Sequence, residues 1–80
     1  MATTTIEMKS PGTVWLAVKA NGGSVSVQRR VGADWVDSDR FTTDGSWKLG
    51  LGPVPTRFLP DAGAVYSLHD SAGTLIEESL

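Results

Sequence analysis

The apolar residues of this chain alternate with other residues at a period of two, and nowhere do they recur at helical spacing. The clearest examples share one face of a segment: Val14, Leu16 and Val18; Val25 and Val27; and Trp47, Leu49 and Leu51. Successive side chains of a β-strand point to opposite faces of the sheet, so this period is typical of half-buried strands. The pattern therefore predicts an all-β chain without helices.

Turn residues divide the sequence into short segments, with nine glycines and four prolines spread along the chain. Asn21-Gly22 and Asp44-Gly45 are predicted type I′ hairpin turns, because both central residues of that turn need positive φ. Residues 52–55, Gly-Pro-Val-Pro, cannot lie inside a sheet, since two prolines remove two hydrogen-bond donors, and an exposed crossover or a sheet edge is predicted there. About seven to eight short strands remain, which is typical of a small antiparallel β-sandwich or barrel.

Residues 1–80 are predicted to form a single β domain. A chain of 80 residues is too short for two cores, and ordering it costs on the order of 120 kcal/mol at about 1.5 kcal/mol per residue. Such a domain has a thin stability margin and often gains stability by association. The sequence has no cysteine, which excludes disulfides, cysteine-ligated zinc and thiol chemistry.

The charge balance limits the expected partners. Seven Lys and Arg residues against nine Asp and Glu residues give a formal net charge of −2, so binding to nucleic acid by charge alone is not expected. No apolar run approaches the ~20 residues of a membrane span, and the N-terminal segment lacks the features of a signal peptide, so no membrane partner is expected. A basic stripe could be formed by Arg29, Arg30, Arg40, Lys48 and Arg57. Nucleic-acid binding would need a net positive charge, so the favoured interpretation is an arginine at a subunit seam that pairs with a carboxylate of a partner.

No arrangement of residues predicts catalysis. His69 is the single histidine and Asp70 follows it directly, but adjacent strand residues point to opposite faces and are not expected to form a dyad. Asp37 and Asp39 are predicted about 7 Å apart on one strand face, at ~3.4 Å per residue. A bent loop there could hold calcium, although solvated hairpin carboxylates are the commoner explanation. We therefore expect no enzyme, no cofactor and no bound metal.

The chain has three tryptophans, which is many for its length. Trp47 lies on an apolar face and is expected in the core, as is Trp35. Trp15 lies on the face opposite to Val14 and Leu16, which leaves two alternatives. Either both faces of that strand are covered, or Trp15 is presented to a partner or a sugar ring.

Four segments together resemble small virion proteins of tailed bacteriophages. They are Ser24-Val-Ser-Val-Gln-Arg-Arg30, Gly32-Ala-Asp-Trp-Val36, Phe41-Thr-Thr-Asp-Gly-Ser-Trp-Lys-Leu49 and Ala64-Val-Tyr-Ser-Leu68. The shared pattern is a Val-x-Val-Gln-Arg strand, a glycine turn closed by Trp-Val, a Phe/Tyr-Thr-x-x-Gly hairpin and a late Tyr-x-Leu strand. The resemblance covers about residues 23–70, a little over half of the chain.

Such virion proteins include capsid decoration or cement proteins, head–tail connectors and tail or fibre accessories, which are non-enzymatic and often trimeric. The resemblance implies a structural virion component, first of all a capsid decoration or cement protein that stabilises the phage head. It would be assembled in the bacterial host cytoplasm and would contact itself, as a homotrimer, and the major capsid protein or another virion protein.

The residues expected at these contacts are Trp15, Pro53, Val54, Pro55 and Arg57, together with the two termini. The terminal strands could pair with a neighbour's exposed sheet edge. The alternative is a carbohydrate- or receptor-binding module of a tail fibre. It would need two exposed aromatic side chains in one plane with acids beside them, and the candidates are Trp15 or Trp35 with Asp37 and Asp39.

Overall fold

Eight antiparallel strands form two four-stranded sheets in a computed structural model that describes residues 4–6, 12–51 and 54–79. The strands are β1 Thr4–Ile6, β2 Gly12–Lys19, β3 Ser24–Val31, β4 Asp34–Phe41, β5 Gly45–Leu51, β6 Thr56–Asp61, β7 Val65–His69 and β8 Leu75–Glu78. Sheet A has the order β1-β6-β3-β4, and sheet B has the order β5-β2-β7-β8. The predicted small antiparallel β-sandwich is confirmed.

The core lies between the two sheets and contains the apolar residues that the alternation placed on one face. Its buried members are Val14, Leu16, Val18, Ala20, Val25, Val27, Leu51, Phe58, Ala64, Tyr66 and Leu68. Phe58 of sheet A and Tyr66 of sheet B meet across the interior, with 5.5 Å between their ring centroids. Trp47 packs against this core and lies 4.4 Å from Phe41, so the core position predicted for Trp47 is confirmed.

The turn at Asn21-Gly22 is present, but it does not close a hairpin. Both residues have positive φ, 51° and 81°, and the amide of Gly23 donates to the carbonyl of Ala20 at 2.7 Å, as expected for a type I′ turn. The turn leads from β2 in sheet B to β3 in sheet A, and these strands do not pair. The local conformation was predicted correctly, whereas the pairing was not.

The predicted hairpin turn at Asp44-Gly45 is wrong. Asp44 does not have positive φ, and the strands on either side of it, β4 and β5, belong to different sheets. Its carboxylate Oδ1 instead accepts a hydrogen bond from the backbone amide of Ala20 at 2.8 Å. Asp44 therefore ties two connections together at one end of the sandwich.

Most connections cross from one sheet to the other. Among the described strands, the consecutive pairs that are hydrogen-bonded to each other are β3 with β4 and β7 with β8. The β3–β4 hairpin turns at Gly32, whose φ of 63° at the first central position fits a type II′ turn. The connection from β5 to β6 also passes between the sheets, which agrees with the crossover predicted for residues 52–55.

Both terminal strands lie at sheet edges. β1 pairs with β6 at one edge of sheet A, and β8 pairs with β7 at one edge of sheet B. The other two edges are formed by β4 and β5. An edge strand leaves one row of backbone amides and carbonyls without a neighbouring strand, so these edges are open to pairing with another chain.

Candidate functional site

The outer face of sheet B presents a row of side chains centred on Trp15. Because Val14 and Leu16 point into the core, Trp15 between them points outward, and 42% of its surface is exposed. The antiparallel register places Lys48 on one side of it and His69 on the other. The Lys48 Nζ lies 5.9 Å from the centre of the Trp15 ring. Of the two alternatives for Trp15, the structure shows the outward one.

Short side chains form the next row along the same face and leave a hollow beside Trp15. Ser46, Ala17 and Ser67 stand side by side on β5, β2 and β7. A shallow groove of about 330 Å³ runs from Trp15 over Ala17 and Ser46 to His69 and the turn that follows it. We call this hollow the Trp15 groove. The large indole ring of Trp15 forms one side of the groove and short side chains form its base, so the groove can accept a partner side chain or a flat ring.

His69 has a hydrogen-bonding partner that the sequence analysis did not identify. Its Nε2 lies 3.0 Å from the hydroxyl of Ser67, two residues earlier on β7 and therefore on the same face. The carboxylate of Asp70 accepts hydrogen bonds from the amides of Ala72 and Thr74, both at 2.9 Å. Asp70 thus holds the β7–β8 turn, and Ser67 and His69 together supply polar atoms at the edge of the Trp15 groove.

The outer face of sheet A carries a fixed arginine. The guanidinium of Arg57 lies 4.5 Å from the centre of the Trp35 ring, and its Nε donates to Oε1 of Gln28 at 2.7 Å. The side-chain amide of Gln28 donates in turn to Asp37 at 2.6 Å. Since β3 separates the strands of Arg57 and Trp35, the two side chains meet above the middle strand of this part of the sheet.

The core position predicted for Trp35 is wrong. Trp35 pairs across the strands with Arg30, and Arg30 belongs to the outward set of β3 together with Ser26 and Gln28. A tryptophan on that side cannot reach the space between the sheets. Its indole ring is half-buried because Arg57 covers it.

The shared face predicted for Asp37 and Asp39 is also wrong. The register between β3 and β4 shifts at this point, so that Asp37 lies opposite Gln28 whereas Asp39 lies opposite Val27. Gln28 and Val27 point to opposite faces, and paired residues point to the same side, so the two carboxylates diverge. The bulge leaves Ser38 unpaired, and its hydroxyl donates to the carbonyl of Val27 at 3.3 Å.

A third surface lies at the end of the sandwich near residues 54–55. Val54, Val31 and Val36 are 37%, 63% and 48% exposed. The amide of Arg30 donates to the carbonyl of Pro55 at 3.0 Å, which brings the segment of Val54 beside the end of β3. This end of the molecule therefore exposes aliphatic side chains on the protruding β3–β4 hairpin and on the crossover next to it.

The expected contact residues are thus distributed over three surfaces. Trp15 lies on the outer face of sheet B, Arg57 on the outer face of sheet A, and Val54 and Pro55 at one end between them. Pro53, residues 1–3 and residue 80 lie outside the described residues. The small residues of the Trp15 groove were not identified from the sequence, although the alternation in β2 and β7 places them on the face of Trp15.

In the part of the chain that the structure describes, no group of three or more metal-ligating side chains comes together. The same residues contain no helix that could cross a membrane. Comparison with protein-family models, with curated proteins and with solved structures found no match to the chain.

Proposed function

We propose that the chain is a structural virion component of a tailed bacteriophage, a capsid decoration or cement protein that acts as a homo-oligomer by contact between surfaces. The observation that carries this proposal is the outward position of Trp15 beside a groove whose base is formed by short side chains. A tryptophan that is held by a rigid strand and half-covered by its neighbours is the kind of residue that dominates binding energy at protein interfaces. The resemblance of residues 23–70 to phage virion proteins is the reason for proposing that the chain acts as part of a virion.

The mechanism would be burial of apolar surface at a contact with a capsid subunit. Each ~100 Å² of apolar area removed from water contributes about 2.5 kcal/mol before the costs of association. Lys48 and His69 flank Trp15 and would give the contact polar edges. An oligomer that presents several copies of this face would multiply weak contacts through effective concentration.

The remaining exposed aliphatic side chains support a role in contact. Besides Trp15 and Val54, the exposed large apolar residues include Val31 and Val36 on the β3–β4 hairpin and Leu75 and Ile76 on β8. They lie on strands at sheet edges or on the hairpin next to them, where another chain has access. A small domain that exposes several such side chains gains stability by covering them.

The experiment is a binding assay with phage heads from which this protein has been removed. Trp15→Ala should weaken binding at least about tenfold, because it removes the anchor of the contact. Leu59→Ala, which shortens a half-buried apolar side chain on the outer face of the other sheet, is the matched control. Equal binding by both variants and the unchanged chain would refute the role of Trp15. Absence of the protein from purified particles, judged by mass spectrometry, would refute the virion setting.

Binding of a carbohydrate is the second candidate, and the Trp15 groove is the observation that favours it. Indole rings stack on sugar rings, and His69, Ser67 and Ser46 supply hydrogen-bonding groups beside Trp15. The platform of two tryptophans is not formed, because Trp15 and Trp35 lie on the outer faces of different sheets. A glycan panel that leaves the tryptophan fluorescence unchanged, in the intact chain, would dismiss this candidate.

A further inference from the structure

The guanidinium of Arg57 is fixed in place before any partner arrives. Trp35 supports its flat face at 4.5 Å and Gln28 accepts from its Nε at 2.7 Å. Asp37 fixes the orientation of the Gln28 amide by accepting from its nitrogen. The two terminal nitrogens of Arg57 remain as donors, in the fork geometry that matches a carboxylate.

Cations outnumber acids around Arg57 on the outer face of sheet A. Arg30 and Arg40 point to the same side, opposite Trp35 and Ser26. We call the surface formed by Arg30, Arg40, Arg57 and Trp35 the arginine face. Within the described residues, the side chain of Arg30 donates to the carbonyl of Gly32, and neither Arg30 nor Arg57 pairs with a carboxylate.

The complementary surface of the same molecule is strand β8. Its sequence is Leu75-Ile76-Glu77-Glu78, and all four residues are exposed. Leu75 and Ile76 are 48% and 45% exposed. β8 forms the free edge of sheet B. Glu78 pairs with Ser67 and points to the outer face of that sheet, whereas Glu77 pairs with Leu68 and points to the other side. The arginine face covers the outer face of the other sheet, so Glu78 of one molecule lies on a different face from its own arginines.

We infer that the arginine face binds strand β8 of a second copy of the chain, with the carboxylate of Glu78 received by Arg57 and its neighbouring arginines. Charge complementarity selects this occupant, because β8 presents an acid beside exposed aliphatic side chains on one accessible strand. The two contacting surfaces differ, so the contact is head-to-tail. Such contacts close into a ring where the rotation between neighbours allows it and otherwise form a filament. This inference rests on the homo-oligomer of the proposed function and identifies its seam.

Charge reversal with restoration tests the seam. Arg57→Glu should raise the dissociation constant of the oligomer at least about tenfold, and so should Glu78→Arg, because each places like charges in contact. A chain with both changes should associate again, since every seam then holds the pair in reversed order. Glu77→Arg makes the same change of charge at the neighbouring residue, which points to the opposite face of β8. It is the control and should leave association unchanged.

The measurement is sedimentation equilibrium over a concentration series, with circular dichroism to confirm that each variant is folded. The oligomer of the unchanged chain should also dissociate as salt is added, which tests the seam even where a reversed variant fails to fold. Association that survives Arg57→Glu and high salt overturns the seam and leaves the proposed function standing. A chain that stays monomeric at every concentration overturns both the seam and the homo-oligomer.

Discussion

Asp44 accepts a hydrogen bond from the backbone amide of Ala20 at 2.8 Å, across 24 positions of the sequence. Asp44 lies in the connection from β4 to β5, and Ala20 precedes the turn between β2 and β3. The contact joins two of the connections that pass between the sheets. A side chain expected to form a hairpin turn thus closes one end of the sandwich.

Replacing Asp44 with alanine should lower the free energy of unfolding by about 1 kcal/mol, because the amide of Ala20 loses its acceptor. Ala20 is itself buried, so water replaces the carboxylate poorly. Urea unfolding followed by circular dichroism measures the effect. Asp39→Ala removes an exposed carboxylate without this contact and should change stability by less than about 0.5 kcal/mol. A loss of equal size in both variants would show that the hydrogen bond to Ala20 is not what stabilises the fold.

Phe58→Ala should destabilise the protein by about 3–5 kcal/mol, because the ring is completely buried and contacts Tyr66 of the other sheet. Leu59→Ala, at the next position of the same strand, affects a half-buried side chain on the outer face and should cost less than about 1.5 kcal/mol. Thermal unfolding of the two variants separates these costs. Similar melting temperatures would contradict the assignment of inner and outer faces in β6.

Gly23→Ala should cost about 1–3 kcal/mol, because the new Cβ would overlap the backbone carbonyl oxygen of Asp61. The turn before β3 and the end of β6 approach closely at this point, and only glycine leaves enough space. Gly50→Ala is the matched control, since a Cβ there meets nothing within 4 Å. We expect that variant to be neutral or more stable by up to about 1 kcal/mol. The midpoints of denaturant unfolding decide between these outcomes.

Ser79→Ala should release the C-terminal strand. The hydroxyl of Ser79 is buried and accepts from the amide of Tyr66 at 2.7 Å, and the amide of Ser79 donates to the carbonyl of Tyr66 at 2.9 Å. Loss of the hydroxyl removes this hydrogen bond, at a cost of about 0.5–1.5 kcal/mol. Hydrogen exchange should become faster at Tyr66 and along β8. Ser71→Ala, at an exposed serine, should leave these exchange rates unchanged. Faster exchange in that variant too would contradict a specific role of the Ser79 hydroxyl in holding β8.

Alternation identified the strands and most of the core because it is a local property of the sequence. Val14, Leu16 and Val18 share a face in any strand, whatever its neighbours. The pairing of strands depends on contacts between distant segments, and the turn at Asn21-Gly22 does not encode it. A type I′ turn reverses the chain, but here the next strand continues in the opposite sheet.

The errors at Trp35 and Asp39 have a common origin. In a regular strand Trp35 and Asp39 would share a face with Phe41, which packs against the core. The register shift around Ser38 instead leaves Trp35 on the outer face and separates it from Asp39 and Phe41. Nothing in the sequence around Ser38 marks that shift. It becomes visible only in the structure, where the hydroxyl of Ser38 bonds to the backbone of the adjacent strand. The direction of the Trp15 side chain, away from Val14 and Leu16, followed from alternation alone, but its exposure was left open because it depends on what covers the outer face of sheet B. The arginine face required the arrangement of three strands in sheet A.

Neither sheet is encoded by a continuous part of the chain. Sheet A takes its strands from positions one, six, three and four, and sheet B from positions five, two, seven and eight. During synthesis on the ribosome, β2 therefore has to wait for β5 and β7, and β3 has to wait for β6. We expect the nascent polypeptide to gain its tertiary structure late and in a single cooperative step, so that fragments ending before β7 remain unfolded and are rapidly degraded.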